Sequence, residues 1–251
     1  MRRLGYCCIS LGINEGKPKR DHVSVNRTMV KRTFDSKGLA YVSELAIHNI
    51  EDCKRLLRYN LSKGIKLYRM SSDMFAFMGF YEIKDLPRFD MMGLEASTYY
   101  PINIHINTTK PSRELASQRF CDNFWRLSDT CRARLTVEND DSQSQYSVKM
   151  LYDMVYTKIG IPIVFDQHHF NYGPQDQTME EALRLAVSTW KTVPITHMSS
   201  SRRTEDEKAV VTAHADYIYE RIETFDLQFD VEIEAKAKDL AVFKYIKDFA
   251  L

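Results

Sequence analysis

Five predicted strands of this sequence each end in a side chain that can bind a metal ion or move a proton. In chain order these residues are His105, Glu138, Asp166, His197 and Glu234. In a parallel barrel the carboxyl ends of all strands lie on one face, so the five groups should converge. Buried together without a cation, such groups would repel each other or stay unsatisfied. The pattern therefore predicts a cluster of divalent metal ions.

The residue types narrow the choice of metal. Imidazole and carboxylate ligands suit Mn²⁺, with Mg²⁺ or Zn²⁺ as alternatives, and the lack of cysteine in the set disfavours structural zinc. Taken singly, a histidine or glutamate at a strand end is more often a satisfied polar group. An aspartate after a strand can simply cap the next helix. The joint pattern, with His168, His169 and His214 nearby, favours metal binding.

Short apolar segments alternate with longer helical ones along most of the chain. Predicted strands cover residues 4–9, 65–70, 101–106, 134–137, 161–165, 193–197 and 229–233. Predicted helices cover residues 41–63, 113–131, 146–159, 178–191, 205–224 and 235–249. Alternating strands and helices form right-handed βαβ units with a parallel sheet. The predicted fold class is therefore α/β, a (β/α) barrel of the TIM type.

Only seven strands are predicted, whereas a closed barrel of this class has eight. The gap falls between Met70 and Pro101, where the chain is too short for a helix, a strand and another helix. We find no linker and no repeat, so we predict one barrel domain over residues 1–251. Residues 10–38 are polar and without periodicity, and we expect a functional loop there.

Composition excludes some classes of protein. Hydrophobic residues make up 44% of the chain, which predicts a globular protein. A net charge of +1 gives no global basic field, so any contact with DNA must come from a local patch. Five cysteines without a CxxC pair fit a reducing compartment. With no signal peptide or membrane span, we expect a soluble intracellular protein of the nucleus or cytoplasm.

Six short motifs follow one another along the C-terminal half of the chain. They are Val137–Asp141, Val164–His169, Thr189–Lys191, His197–Ser200, His214–Asp216 and Glu234–Lys238. Together they resemble the UV damage endonuclease family. Leu4–Tyr6 and Arg69–Ser72 extend the resemblance towards the N-terminus.

The resemblance implies a metal-dependent DNA-repair endonuclease that nicks damaged double-stranded DNA on the 5′ side of UV-type lesions. Carried over by position, it implies three catalytic residues, Glu138, Asp166 and Glu234. The implied metal ligands are His105, Glu138, Asp166, His169, His197, His214 and Glu234. No membrane and no obligate protein partner are expected.

The resemblance also implies contacts with DNA. Tyr6 matches a tyrosine that the family uses near the extruded lesion, and extrusion is a general need of enzymes that recognise a damaged base. Arg202 and Arg203 follow a serine run beside a proposed ligand and could hold phosphate, or could belong to a solvated loop. Lys236 lies just past Glu234 and is a further candidate for phosphate contact.

The sequence departs from the family pattern in ways that matter for function. The missing third strand–helix unit would carry one histidine ligand and the residues that wedge into DNA at the lesion. Ile195 stands where the family often has a lysine. We therefore expect an open or distorted barrel between Met70 and Pro101 and weakened lesion discrimination. A catalytically impaired DNA- or lesion-binding variant remains as the alternative. A sugar-phosphate isomerase is a third hypothesis, which the runs Glu138–Asp141 and Glu234–Lys238 disfavour.

Overall fold

A computed structural model describes residues 1–71 and 94–249 of the chain. Within those residues it contains seven β-strands, the number that the sequence predicted. Most of the predicted gap between Met70 and Pro101 lies outside the described residues. The chain divides into two compact units. We call Met1–Arg3 with Glu95–Lys236 the central unit, and Leu4–Leu94 with Ala237–Leu251 the N-terminal unit. The single domain stays a prediction.

A parallel sheet forms the middle of the central unit. Its strands pair in chain order and are β3 (Ile102–Ile104), β4 (Leu135–Glu138), β5 (Ile163–Asp166), β6 (Ile195–Met198) and β7 (Asp230–Ile233). Every residue of β4 to β7 is buried. Strands covered on both faces in this way are typical of parallel sheets flanked by helices.

Short helices follow the strands of the central unit. They are α2 (Arg113–Phe124), α3 (Asp129–Arg132), α4 (Val148–Leu151), α5 (Thr157–Ile159), α6 (Gln167–Tyr172) and α7 (Met179–Ser188), with a π-helical segment at Tyr152–Tyr156. Thr178 begins α7 with a capping box, because its side chain accepts from the Glu181 amide while Glu181 accepts from the Thr178 amide. Gly160 ends α5 in the left-handed conformation.

The predicted helix over residues 205–224 is wrong. The described chain forms a 3₁₀ turn at Arg202–Thr204, then an irregular loop as far as β7. Side-chain hydrogen bonds hold this loop: the Ser201 hydroxyl donates to the Val211 carbonyl at 2.6 Å, and the Tyr219 hydroxyl donates to Glu205 at 2.7 Å. These contacts satisfy polar groups that a helix would otherwise pair, so tertiary structure overrides local helix propensity.

In its described residues the N-terminal unit has two parallel strands and two α-helices. β1 (Leu4–Cys7) pairs with β2 (Leu67–Arg69), α1 spans Lys31–Ser62, and α8 spans Asp239–Phe249. Helix α1 is interrupted at Gly38, whose φ of 71° is readily adopted only by glycine. The helix begins at Lys31, so the loop predicted for residues 10–38 is shorter than expected. That loop also contains two short 3₁₀ turns.

The register of the central sheet decides which polar side chains lie level with one another. Asp166 of β5 pairs with His197 of β6, and His197 pairs with Glu232 of β7. Glu138 of β4 pairs with Val164, two residues before Asp166. Side chains two apart share one face of a strand, so Glu138, Asp166 and His197 can meet at one edge of the sheet.

All five cysteines are free, as their number and spacing predicted. Among the described residues, no helix is long and apolar enough to cross a membrane.

Candidate metal centre

Glu138 lies at the middle of the predicted ligand set. Its Oε1 atom is 3.2 Å from His169 Nδ1 and 3.1 Å from His197 Nδ1, and its Oε2 atom is 3.6 Å from His105 Nε2. The Asn103 side-chain amide also donates to Oε2. Glu138 is only 3% exposed. This carboxylate therefore has little contact with water, and three imidazoles surround it.

Asp166 is fully buried at the end of β5, and its two carboxylate oxygens have different surroundings. Its Oδ1 atom accepts from the His169 amide at 2.8 Å and so caps helix α6. Its Oδ2 atom is buried and has no hydrogen-bond partner among the described residues. Capping, the plainer interpretation of an aspartate after a strand, is therefore correct for one oxygen and leaves the other available to a ligand.

Asn139 fixes the position of Asp166. Its side-chain amide donates to the Asp166 carbonyl at 3.0 Å, and its Oδ1 atom accepts from the Asp166 amide at 2.9 Å. Gly173 brings the segment after α6 against the same loop, because a Cβ at this position would lie 2.2 Å from the Asp140 carbonyl oxygen. The ends of β4 and β5 are thus held together by hydrogen bonds between the Asn139 side chain and the Asp166 backbone.

His197, Glu234 and His214 extend the cluster across β6 and β7. His197 Nδ1 lies 3.4 Å from Glu234 Oε1, and His214 Nδ1 lies 3.8 Å from Glu234 Oε2. His214 comes from the irregular loop before β7, and its Nδ1 atom is 2.9 Å from the Glu234 carbonyl oxygen. His168 supports this loop, since its Nε2 atom is 3.0 Å from the Thr212 carbonyl oxygen.

The electrostatics of the cluster follow from burial and close opposite charges. Burial raises the pKa of Glu138, but His197 and His169 outweigh it and bring that pKa well below its ordinary value. Burial raises the pKa of Asp166, and the charges of Glu138 and Glu234 add to the effect. Burial lowers the pKa of His169, but the negative charges of Asp166 and Glu138 outweigh burial and raise the pKa to about 10. Strongly perturbed groups gathered in this way are typical of functional sites.

Two overlapping triads have the spacing of metal sites. In each, one candidate ligand atom per residue lies within 4.8 Å of the others, and the triads are His105–Glu138–His169 and Glu138–Asp166–His197. Glu138 belongs to both. All seven predicted ligands therefore lie in one connected cluster, although their role as ligands stays a prediction. His169 lies in α6, a short helix that was not predicted from the sequence.

Three further polar residues of the site were missed. Asp140 Oδ1 lies 3.0 Å from His105 Nδ1, Glu232 Oε2 lies 3.2 Å from His197 Nε2, and Asn139 bonds the Asp166 backbone. Asp140 belongs to the Val137–Asp141 motif, and Glu232 precedes by two residues the predicted ligand Glu234. The two-residue period of a strand is the signal that could have identified Glu232.

The predicted DNA contacts differ in their exposure. Arg202 is half-exposed and bonds Asp216 at 2.8 Å, Arg203 is exposed, and Lys236 is exposed. Tyr6 is fully buried in the N-terminal unit, where its hydroxyl donates to Asn60 at 2.8 Å. A fully buried side chain cannot touch DNA without rearrangement, so this placement favours packing over the predicted lesion contact.

The sequence profile of the family described as UV-endonuclease UvdE matches residues 2–85 and 83–251 of this chain. Together the two segments cover almost the whole sequence. The break between them falls in the interval where the sequence analysis predicted a missing strand–helix unit.

Several relatives are called UV DNA damage endonuclease. One from Bacillus cereus strain G9842 is 28% identical over 311 aligned positions, covering 99% of this chain and 94% of that protein. Because the alignment has 311 positions and this chain has 251 residues, at least 60 of the aligned positions have no residue of this chain. One from Bacillus velezensis is 32% identical and covers 64% of this chain and 51% of that protein. These bacterial sources give no support to the nuclear location.

Among solved structures, the crystal structure of SacUVDE is similar over 100% of this chain and 99% of that chain. The TM-score is 0.77 and the sequence identity is 19%. The similarity supports the predicted fold, an α/β barrel of the TIM type.

Proposed function

Because the chain belongs to the UV-endonuclease UvdE family, it is a DNA-repair endonuclease, and we propose that it hydrolyses damaged double-stranded DNA with a cluster of divalent metal ions. The impaired-variant alternative is not favoured, since relatives named as endonucleases match the chain over 99% of its length. The family match also speaks against the sugar-phosphate isomerase.

One observation carries the metal proposal. The Asp166 Oδ2 atom is buried without a hydrogen-bond partner among the described residues, although Asp166 lies beside Glu138 and His197 in one triad. An uncompensated buried carboxylate oxygen next to another carboxylate is unfavourable, and a cation at this point would satisfy both. The donor set of imidazoles and carboxylates fits a divalent ion such as Mn²⁺, with Mg²⁺ or Zn²⁺ as alternatives.

The proposed ligands are His105, Glu138, Asp166, His169, His197, His214 and Glu234. When bound, the metal ions would supply a nucleophilic water and stabilise charge on the scissile phosphate. Glu138 belongs to both triads and would contribute a carboxylate oxygen to each. We assign catalytic roles to Glu138, Asp166 and Glu234, because these carboxylates would supply the negative charge that retains the ions.

The position of cleavage and the DNA contacts are also proposals. By family resemblance we infer that the enzyme cuts the phosphodiester 5′ to a UV-type lesion. Lys236 is exposed two residues after Glu234 and is suited to contact phosphate near the cluster. Arg202 can also reach phosphate from its half-exposed position, provided that the pair with Asp216 opens.

A nicking assay tests the proposal. We expect purified protein with Mn²⁺ to convert UV-irradiated supercoiled plasmid to the nicked form, and to leave unirradiated plasmid largely intact. Removal of Mn²⁺ by chelation should stop the reaction, and its return should restore it. End-labelled duplex with one defined lesion then locates the cut. Equal nicking of irradiated plasmid with and without metal would contradict the metal cluster.

A further inference from the structure

Glu232 is a buried carboxylate that lies behind one of the proposed ligands. Its Oε2 atom is 3.2 Å from His197 Nε2, and the two side chains are 5% and 1% exposed. The register of the sheet causes this contact, because His197 of β6 pairs directly with Glu232 of β7. Burial on both sides means that water competes little for the contact.

The other nitrogen of the same ring faces the metal cluster. His197 Nδ1 lies 3.1 Å from Glu138 Oε1 and 3.4 Å from Glu234 Oε1. The two ring nitrogens point to opposite sides of the imidazole, so Glu232 and the proposed ligands lie on different sides of His197. A neutral imidazole carries one proton, and a carboxylate at Nε2 favours placing that proton there. The Nδ1 lone pair is then directed to the cluster.

We propose that Glu232 is a positioning residue that holds His197 in the Nε2–H tautomer and orients its Nδ1 atom towards a metal ion. This inference rests on the proposed metal-dependent function. A carboxylate on the far nitrogen of a histidine ligand also raises the basicity of that ligand, and loss of such a partner commonly weakens metal binding by about 10- to 100-fold.

Of the other proposed histidine ligands, His105 shows the same arrangement with a different acceptor. His105 Nδ1 lies 3.0 Å from Asp140 Oδ1, while its Nε2 atom faces Glu138. His169 Nδ1 and His214 Nδ1 lie 3.0 Å and 2.9 Å from the backbone carbonyl oxygens of Asn139 and Glu234. In these two histidines the same Nδ1 atom also lies near a cluster carboxylate, that of Glu138 or Glu234. A carboxylate on the ring nitrogen away from the cluster is therefore a feature of His197 and His105.

The test compares Glu232→Leu and Glu232→Gln with the unchanged protein. Leucine removes the acceptor and fills similar space, whereas glutamine keeps an acceptor oxygen without the charge. Asp230→Asn is the matched control, because Asp230 is fully buried on the same strand but bonds Arg3 Nε at 2.9 Å instead of a histidine. Each protein is purified as the full chain, stripped of metal and titrated by calorimetry with Zn²⁺ alone or with Mn²⁺ alone.

We expect Glu232→Leu to weaken Zn²⁺ binding about 10- to 100-fold and Glu232→Gln to weaken it less. Asp230→Asn should lower the melting temperature and leave Zn²⁺ affinity unchanged. In ¹H–¹⁵N spectra of the Zn²⁺-loaded protein, His197 should be protonated at Nε2, with a downfield proton that is lost in Glu232→Leu and partly kept in Glu232→Gln.

Two failures are distinguishable. If the unchanged protein binds neither Zn²⁺ nor, in the same titration, Mn²⁺, the metal cluster itself is overturned, and the role of Glu232 with it. If the unchanged protein binds Zn²⁺ and both Glu232 variants bind it equally well with His197 unaltered, only the positioning role is overturned. Should Glu232→Leu fail to fold, the affinity and spectrum of Glu232→Gln decide the question.

Discussion

Two fully buried aspartates, one in each unit of the chain, show how burial alone misleads. Asp239 of the N-terminal unit accepts from the Leu11 amide at 2.7 Å, the Ser10 hydroxyl at 2.9 Å and the Gly12 amide at 3.1 Å. Asp166 of the central unit uses Oδ1 as a helix cap, while Oδ2 has no hydrogen-bond partner among the described residues. The residue type and the burial are the same, but the hydrogen bonding differs.

The difference separates structure from function. Asp239 uses both carboxylate oxygens to fix the loop after β1, so its charge is compensated within the protein. Asp166 has one uncompensated oxygen and lies beside Glu138, and burial raises its pKa. Such a group is retained at a cost in stability, which is typical of residues that bind a ligand. Substitutions of Asp166 should therefore lower activity and leave stability largely unchanged, whereas substitutions of Asp239 should lower stability and leave activity largely unchanged.

The largest expected effect is on catalysis. Replacing Glu138 by Ala should lower the rate of nicking by about 1,000-fold or more, comparable to or greater than the loss of one charge-stabilising contact in other active sites. Asp166→Ala should do the same. The measurement is the initial nicking rate on irradiated plasmid with saturating Mn²⁺. Nicking at the normal rate in Glu138→Ala would remove this residue from the mechanism.

Asp239→Ala should reverse the pattern. Loss of the carboxylate leaves the Leu11 and Gly12 amides without their acceptor, so we expect the free energy of unfolding to fall by about 3 kcal/mol. Urea denaturation measures this change. Metal affinity and lesion preference of the folded fraction should stay normal. An unaltered urea midpoint would show that the loop after β1 does not depend on this anchor.

Asp166→Asn should leave the metal-free protein as stable as before, or more stable by about 1 kcal/mol, since a buried negative charge beside other carboxylates is removed. Mn²⁺ should then raise the melting temperature of the unchanged protein but not of the variant, because only the former gains binding energy on folding. A metal-free variant that unfolds at clearly lower urea would indicate that capping of α6 outweighs charge repulsion.

The smallest effect concerns Asp52, which pairs with Arg27 and with half-exposed Arg55. Burial raises the pKa of Asp52, but the Ser24 amide and Arg27 outweigh it and lower the pKa below its ordinary value. A lowered folded-state pKa gives stability that is present above the unfolded-state pKa and is lost as pH falls through the folded-state value. Asp52→Asn should lose about 1 kcal/mol at pH 7, because water screens part of the pair.

Urea titrations at pH 7 and at pH 3 test this assignment. The difference between the unchanged protein and Asp52→Asn should shrink at pH 3, because this pH lies below the ordinary pKa of aspartate and the unfolded chain then takes up the proton. A difference that does not vary with pH would assign the effect to packing.

The sequence by itself determined the residue types at the strand ends and the order of the strands. Apolar segments that must be buried predicted the seven strands of the described residues, and the polar residues that end them, such as Glu138 and Asp166, follow from chain order alone. Glycines with left-handed conformations mark helix ends at Gly64 and Gly160, as their positions predicted. These features depend on neighbours in the chain, so local chemistry is sufficient to find them.

Only the tertiary structure decided the rest. The loop over residues 205–224 is not helical, because contacts such as Tyr219 with Glu205 replace local hydrogen bonds. The register that sets Glu232 behind His197 depends on how β6 and β7 pair, and no local pattern specifies a pairing between segments 35 positions apart. Whether a buried carboxylate is satisfied, as Asp239 is, or keeps an unpaired oxygen, as Asp166 does, depends on donors brought from distant parts of the chain.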